Sequence, residues 1–288
     1  MPLLQGVYAA AVTPRRLGMQ DINLGVMWDL IDFLCERKVQ GLALLGSTGE
    51  FIHYSNSERM RMMGLAPKRS RVPVVINVSH SNLDGSVELA QAAAASGAVG
   101  VLLMPPVFFR YTDDDVRMFY RRFAREAELE IPILLYNIPR FGNSVSSEVA
   151  LELLRDGVVH GIKDASGDRA YSDRLAALRT EQPFTLMGGA DELLGQQLGD
   201  GVISGVACAV PELVLAGSRG MVTAADRLRE FMERLKPMPF PVGIREATAL
   251  RGLKIGPHAA PVDERVTAEF REWFKGWLPT VLAECEGV

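Results

Sequence analysis

Lys163 closes a short apolar run, Val158-Val159-His160-Gly161-Ile162-Lys163, and a polar turn, Asp164-Ala165-Ser166-Gly167-Asp168, follows at once. If the run is a buried strand, the lysine sits at its C-terminal tip. An amine turned into low-dielectric surroundings holds its charge at a cost, which favours the neutral form. A neutral amine attacks a ketone and forms a Schiff base. A strand-end lysine can equally snorkel, keeping its charge in water. Two other stretches carry groups that would serve such an amine. Tyr136 ends another apolar run and is followed by Asn137-Ile138-Pro139. Near a Schiff-base lysine its phenol can carry protons to and from the carbinolamine; the alternative is a core tyrosine whose hydroxyl has found a backbone partner. Gly46-Ser47-Thr48-Gly49-Glu50 is a tight turn with two hydroxyls and successive backbone N–H groups. Such a concave arrangement holds a carboxylate, and the same residues also suit a helix-capping turn.

These groups act together only if the fold brings them to one place. Apolar, strand-like runs cover 7–13, 41–45, 72–78, 99–104, 131–136, 158–163, 184–187 and 201–204. Helical patterns lie between them, over 21–38, 57–68, 86–96, from Thr112 onward, then 146–155, 171–179 and 191–198. Leu24, Met27, Trp28, Ile31 and Leu34 show the helical spacing that buries one face. Thr112 is expected to cap its helix, with Asp113, Asp114 and Asp115 complementing the dipole. Strict alternation with strands buried on both faces calls for a parallel sheet, and about eight repeats favour a closed (β/α)8 TIM barrel. The strand pattern stops near Thr223, and helices are expected around Ala224 to Leu235, over 242–254 and over 261–285. The expected organisation is therefore a barrel over 1–222 carrying the site, with a helical C-terminal region over 223–288. Strand C-termini share one barrel face, and catalysis sits on it. Lys163, Tyr136, Ser47, Thr48 and the Ile203-Ser204 strand end then become neighbours.

Composition narrows the classes. The chain has 288 residues, 48% hydrophobic, with a formal net charge of −4. No basic surplus points to nucleic acid or an anionic membrane, and no apolar run approaches the roughly 20 residues of a membrane span. Cys35, Cys208 and Cys285 are few and widely spaced, which fits free thiols in a reducing compartment. The opening residues show no basic region followed by an apolar run, so no signal peptide is expected and the cytoplasm is the expected location. His53, His80, His160 and His258 show no metal-ligand spacing. Neither a metal nor a cofactor is expected.

The chain resembles the dihydrodipicolinate synthase / N-acetylneuraminate lyase family of class I aldolases and lyases. Gly46-Ser47-Thr48-Gly49-Glu50, Tyr136-Asn137-Ile138-Pro139 and Gly161-Ile162-Lys163-Asp164 carry the resemblance, supported by Gly201-Val202-Ile203-Ser204-Gly205. It implies a TIM barrel with a C-terminal helical domain, usually a homotetramer or dimer of dimers. It further implies Lys163 as the Schiff-base lysine for pyruvate or another 2-oxo acid, and Tyr136 as the proton shuttle. Ser47 and Thr48 would lie near the 2-oxo acid's carboxylate, and the backbone of Ile203 beside the lysine. Two departures bear on the substrate. The synthase branch carries a relay tyrosine from a neighbouring subunit, and Phe108 stands at that position here. That branch also has an arginine after its Tyr-Asn-x-Pro motif, whereas here Arg140 comes one place early and Phe141 follows. Both changes suit cleavage or dehydration of a 2-keto-3-deoxy sugar acid. Alternatives are the synthase reaction, condensing pyruvate with aspartate semialdehyde, and a non-catalytic 2-oxo-acid-binding protein. Among the remaining features, His53 and His80 either line the mouth or face solvent. Arg59, Arg61, Lys68, Arg69 and Arg71 read as a solvated helix face, Trp28, Trp273 and Trp277 as packing residues, and Asp164 and Asp168 as supports of the turn.

Overall fold

A computed structural model describes residues 4–18, 21–191 and 199–286. Strands β1 (Gly6–Ala10), β2 (Gly41–Leu44), β3 (Val74–Asn77), β4 (Gly100–Leu103), β5 (Ile133–Asn137), β6 (Gly161–Asp164), β7 (Thr185–Gly188) and β8 (Gly201–Ser204) close into a parallel barrel in sequence order. The chain is a (β/α)8 TIM barrel. Strands β1 to β6 are each shorter than their apolar runs, because flanking apolar residues pack in the connections, whereas β7 and β8 are as long as theirs. The helices between strands are α1 (Leu24–Glu36), α2 (Asn56–Met63), α3 (Ala66–Arg69), α4 (Leu83–Ser96), α5 (Asp113–Ala127), α6 (Ser147–Arg155) and α7 (Arg169–Leu178). After β8 come α8 (Val206–Ala209), α9 (Pro211–Ser218), α10 (Ala224–Leu235), α11 (Val242–Ala249) and α12 (Glu264–Cys285). The helical stretch expected over 191–198 lies, apart from Asp191, outside the described residues.

Local chemistry sets the boundaries. Asn23 caps α1, which buries Met27, Leu30, Ile31 and Leu34; each such side chain is worth roughly 1.5–3 kcal/mol against exposure. Thr112 and Asp115 form a reciprocal capping box at the start of α5, and Val116, Phe119, Tyr120 and Phe123 fill its buried stripe. Gly97 ends α4 with φ of 94°, a conformation that needs no Cβ.

Four expectations need correction. The helix over 57–68 is two helices, broken at Gly64-Leu65, because Pro67 fits only a first turn and starts α3. Arg59 is not on a solvated face. It is buried, with its guanidinium donating to the carbonyls of Asn77 and Ser79. The helix over 242–254 stops at Ala249, because Gly252 turns left-handed and the backbone leaves to meet Arg15. The short helices α8 and α9 were not expected. Their apolar residues are buried all round, so no amphipathic period marks them.

Helices α10 and α12 pack through aromatic rings. Phe231 of α10 stacks on Trp277 of α12, centroids 5.5 Å apart, with Phe270, Trp273 and Phe274 around them. The Trp277 indole N–H donates to Glu230 at 2.8 Å. Among the described residues no helix is long and apolar enough to cross a membrane.

Candidate active site

Strand alternation places the central pair. In the β5–β6 register Tyr136 lies opposite Lys163, and Asn137 opposite Asp164. Successive side chains point to opposite faces of a strand. Tyr136 and Lys163 line a hollow at the barrel's C-terminal face, while Asn137 and Asp164 bond to each other and to the surrounding loops. The Asn137 carboxamide donates to Asp164 at 3.1 Å and accepts from the Val145 amide. Asp164 also accepts from the Ser166 amide and the Ser172 hydroxyl. Asp168 caps α7 through the amides of Ala170 and Tyr171. The turn after the lysine is thus tied to both strands and to α7.

Lys163 is 4% exposed and Tyr136 1% exposed. The Lys163 Nζ lies 4.2 Å from the centre of the Tyr136 ring. The Tyr136 hydroxyl and the Ser47 Oγ are 2.8 Å apart, within one hydrogen bond. Among the described residues no carboxylate pairs with the Lys163 ammonium. Gly189 packs against its stem, since a Cβ there would fall 2.8 Å from Lys163 Cε. Thr48 and Ile203 are buried in the same wall. The hollow measures about 620 Å³. The five residues singled out in the sequence, Ser47, Thr48, Tyr136, Lys163 and Ile203, all line it.

The Gly46–Glu50 turn is held from below. Leu45 and Glu50 adopt φ of 57° and 52°, a left-handed conformation that costs on the order of 1–3 kcal/mol for residues with side chains. Asn77 donates to the Leu45 carbonyl at 2.8 Å, and the Thr13 hydroxyl to the Gly49 carbonyl at 2.7 Å. The Glu50 carboxylate is buried against Arg245 at 2.9 Å, with Arg15 at 3.8 Å. Burial pulls the Arg245 guanidinium down from its ordinary range, and the charge of Glu50 opposes that pull. Burial pushes the nearby Tyr54 phenol up to about 12, so Tyr54 serves as a neutral donor to the Thr13 carbonyl.

The mouth holds residues the sequence did not announce. The C-terminal region supplies Leu228 and Met232 of α10, Phe240, and Ile244 of α11. Nothing local marks them, because the closed barrel alone decides which helix covers its mouth. Arg140 also lines the hollow, its guanidinium 5.3 Å from the Phe141 ring centre and 5.8 Å from that of Phe240. Of the other cations there, Arg229 pairs with Asp226 and Lys236 with Glu233. His53 is exposed and His80 accepts from the Asn82 amide; neither lines the hollow. Phe108 is 88% exposed with φ of 82°, outside the hollow, as is Tyr111.

Known proteins share this architecture over nearly the whole chain. The family model described as the dihydrodipicolinate synthetase family matches residues 3–275. A 4-hydroxy-tetrahydrodipicolinate synthase of Salinibacter ruber is 35% identical over 283 residues, covering 91% of this chain and 92% of that one. One from Methanococcoides burtonii is 32% identical, covering 93% and 94%. Among solved structures, YagE, a prophage protein of the dihydrodipicolinic acid synthase family from E. coli K12 in complex with pyruvate, superposes with a TM-score of 0.86. It is 25% identical, over 96% of this chain and 99% of that one. The closed barrel, the motifs on its C-terminal rim and these matches agree: the chain belongs to the dihydrodipicolinate synthetase family and is, as its members are, a class I aldolase/lyase.

Proposed function

We propose that the protein is a Schiff-base lyase for pyruvate or another 2-oxo acid, and that it cleaves or dehydrates a 2-keto-3-deoxy sugar acid. One observation carries the reading: a buried lysine lies 4.2 Å from the ring of a tyrosine that is itself bonded to a serine of the Gly-Ser-Thr turn. In this reading the substrate carboxylate rests on the Ser47-Thr48 turn, which brings the C2 ketone to the Lys163 amine. Attack gives a carbinolamine. Its hydroxyl leaves as water when Tyr136 delivers a proton, and the iminium that remains draws electrons from the bond to be broken. Ser47, within one hydrogen bond of the phenol, relays back to it the proton that the lysine released on becoming a neutral amine. This pair lies within one chain, which answers the loss of a relay tyrosine at Phe108 and leaves little ground for a non-catalytic role.

The synthase reaction, pyruvate plus aspartate semialdehyde, stays as the second reading, for two specific reasons. The relatives at 32% and 35% identity carry that name. Arg140, although one place early in the motif, lines the hollow and pairs with no carboxylate among the described residues. Turnover of aspartate semialdehyde with pyruvate, and none of sugar-derived keto acids, would select it. Borohydride reduction in the presence of pyruvate tests both readings at once. The expected product is one stable adduct on Lys163, formed about 10²–10⁴-fold more slowly in Tyr136→Phe. An unmodified Lys163 overturns the proposal.

We also infer a cytoplasmic homo-oligomer, a tetramer or dimer of dimers. The free thiols of Cys35, Cys208 and Cys285 fit a reducing compartment. Phe108 and Phe109, 88% and 66% exposed beside Tyr111, form an apolar patch of the kind that pairs with another subunit. Light scattering should return a multiple of the 31.5 kDa chain mass, and a monomer at working concentration would refute the assembly.

A further inference from the structure

Ser47 and Thr48 hold their place only if the turn between Leu45 and Glu50 keeps its left-handed ends. Strained backbone persists where neighbouring groups over-determine it. Asn77 holds the Leu45 end, and the groups that hold the Glu50 end converge on one side chain that lies 195 residues beyond Glu50 in the sequence. Arg245 of α11 is 1% exposed. Its Nη1 donates to the Glu50 carboxylate at 2.9 Å and to the Thr13 carbonyl at 2.8 Å. Its Nη2 donates to the Pro257 carbonyl at 2.9 Å. Thr13 in turn donates its hydroxyl to the Gly49 carbonyl. One guanidinium therefore joins the loop after β1, the turn after β2 and the segment at 255–257. The preceding residue, Ile244, lines the hollow. A lysine could not span these acceptors, because only the planar fork presents several donors at once.

We infer that Arg245 is a positioning residue for the substrate carboxylate: acting through Glu50, it fixes the Ser47-Thr48 turn and so sets the affinity for the 2-oxo acid. The helical C-terminal region is then part of the binding machinery. This rests on the keto-acid reading given above.

The test is the concentration of pyruvate that half-saturates borohydride trapping in the full-length protein. Glu50→Gln and Arg245→Met should each raise it about tenfold or more, the scale of a displaced binding group. The trapping rate at saturating pyruvate should fall by a smaller factor than half-saturation rises, because Lys163 and Tyr136 stand on other strands and only the Ser47 relay moves with the turn. Arg245→Lys should fall between wild type and Arg245→Met. Arg271→Met serves as the control. It breaks an ion pair to Glu246 of the same helix, so it should lower the Tm and leave half-saturation unmoved. If Arg245→Met does not fold, the near-isosteric Glu50→Gln decides. An adduct with unchanged half-saturation in Glu50→Gln, or an equal shift in Arg271→Met, overturns this inference alone. Absence of any adduct in the wild-type protein overturns the keto-acid reading and this inference with it.

Discussion

At the scale of single residues, the site is a matter of tenths of an ångström. Gly189 carries no side chain where the Lys163 stem passes, and a Cβ would meet Lys163 Cε at 2.8 Å and Ala165 Cβ at 3.0 Å. Such contacts must be relieved, and the flexible lysine would give way before the strand does. Gly189→Ala is therefore expected to slow adduct formation about 10–100-fold, the effect of a small misplacement of a reacting group. An adduct rate equal to wild type would show that the stem has more freedom than its packing implies. The neighbouring alternation explains why Asn137 and Asp164 do no chemistry here. They face away from the hollow, bond to each other across β5 and β6, and hold the tips that carry Tyr136 and Lys163.

At the scale of elements, the C-terminal helices are fastened by buried charge as well as by rings. Glu246 of α11 accepts from His258 at 2.7 Å and from Arg271 of α12 at 2.6 Å. Burial pushes its carboxyl up, but these two partners outweigh burial and hold it down at about 2, against an ordinary value of 4.5. A carboxyl lowered in the folded state stabilises that state above its unfolded value. The contribution is lost as pH falls from about 4.5 towards 2. Its size is on the order of 3 kcal/mol, since each pKa unit corresponds to about 1.4 kcal/mol. Urea midpoints of wild type and Glu246→Gln should differ above about pH 5 and converge only as pH approaches about 2. Parallel curves across that range would mean that the ion pair adds nothing to the fold.

At the scale of the whole molecule, everything depends on closing the barrel between its first and last strands. Gly6 and Gly201 are paired at that seam. A Cβ on Gly201 would lie 2.0 Å from the Gly6 carbonyl oxygen, which is backbone and cannot swing aside. Gly201→Ala should cost about 3 kcal/mol in urea unfolding, the upper end for overpacking. Gly276→Ala, in α12 with open space around it, should be neutral or stabilise by up to about 1 kcal/mol. Equal urea midpoints for the two variants would show that the seam tolerates a side chain. Closure also converts strand ends far apart in sequence into one rim. Ser47, Tyr136, Lys163 and Ile203 meet only because the sheet returns on itself.

The sequence by itself determined the architecture and the inner site. Strand-helix alternation is a local signal repeated around the barrel, and the Gly-Ser-Thr turn, Tyr136 and Lys163 each end a run that reads as a strand. The barrel rule then makes those ends neighbours. Tertiary structure alone decided the rest: that Arg59 is buried, that α10 and α11 roof the mouth, that Arg140 reaches it despite its early place, and that Arg245 braces Glu50. The reason is physical. Strand order fixes which tips share a rim, whereas the partners of a long charged side chain depend on packing between segments that no local period relates.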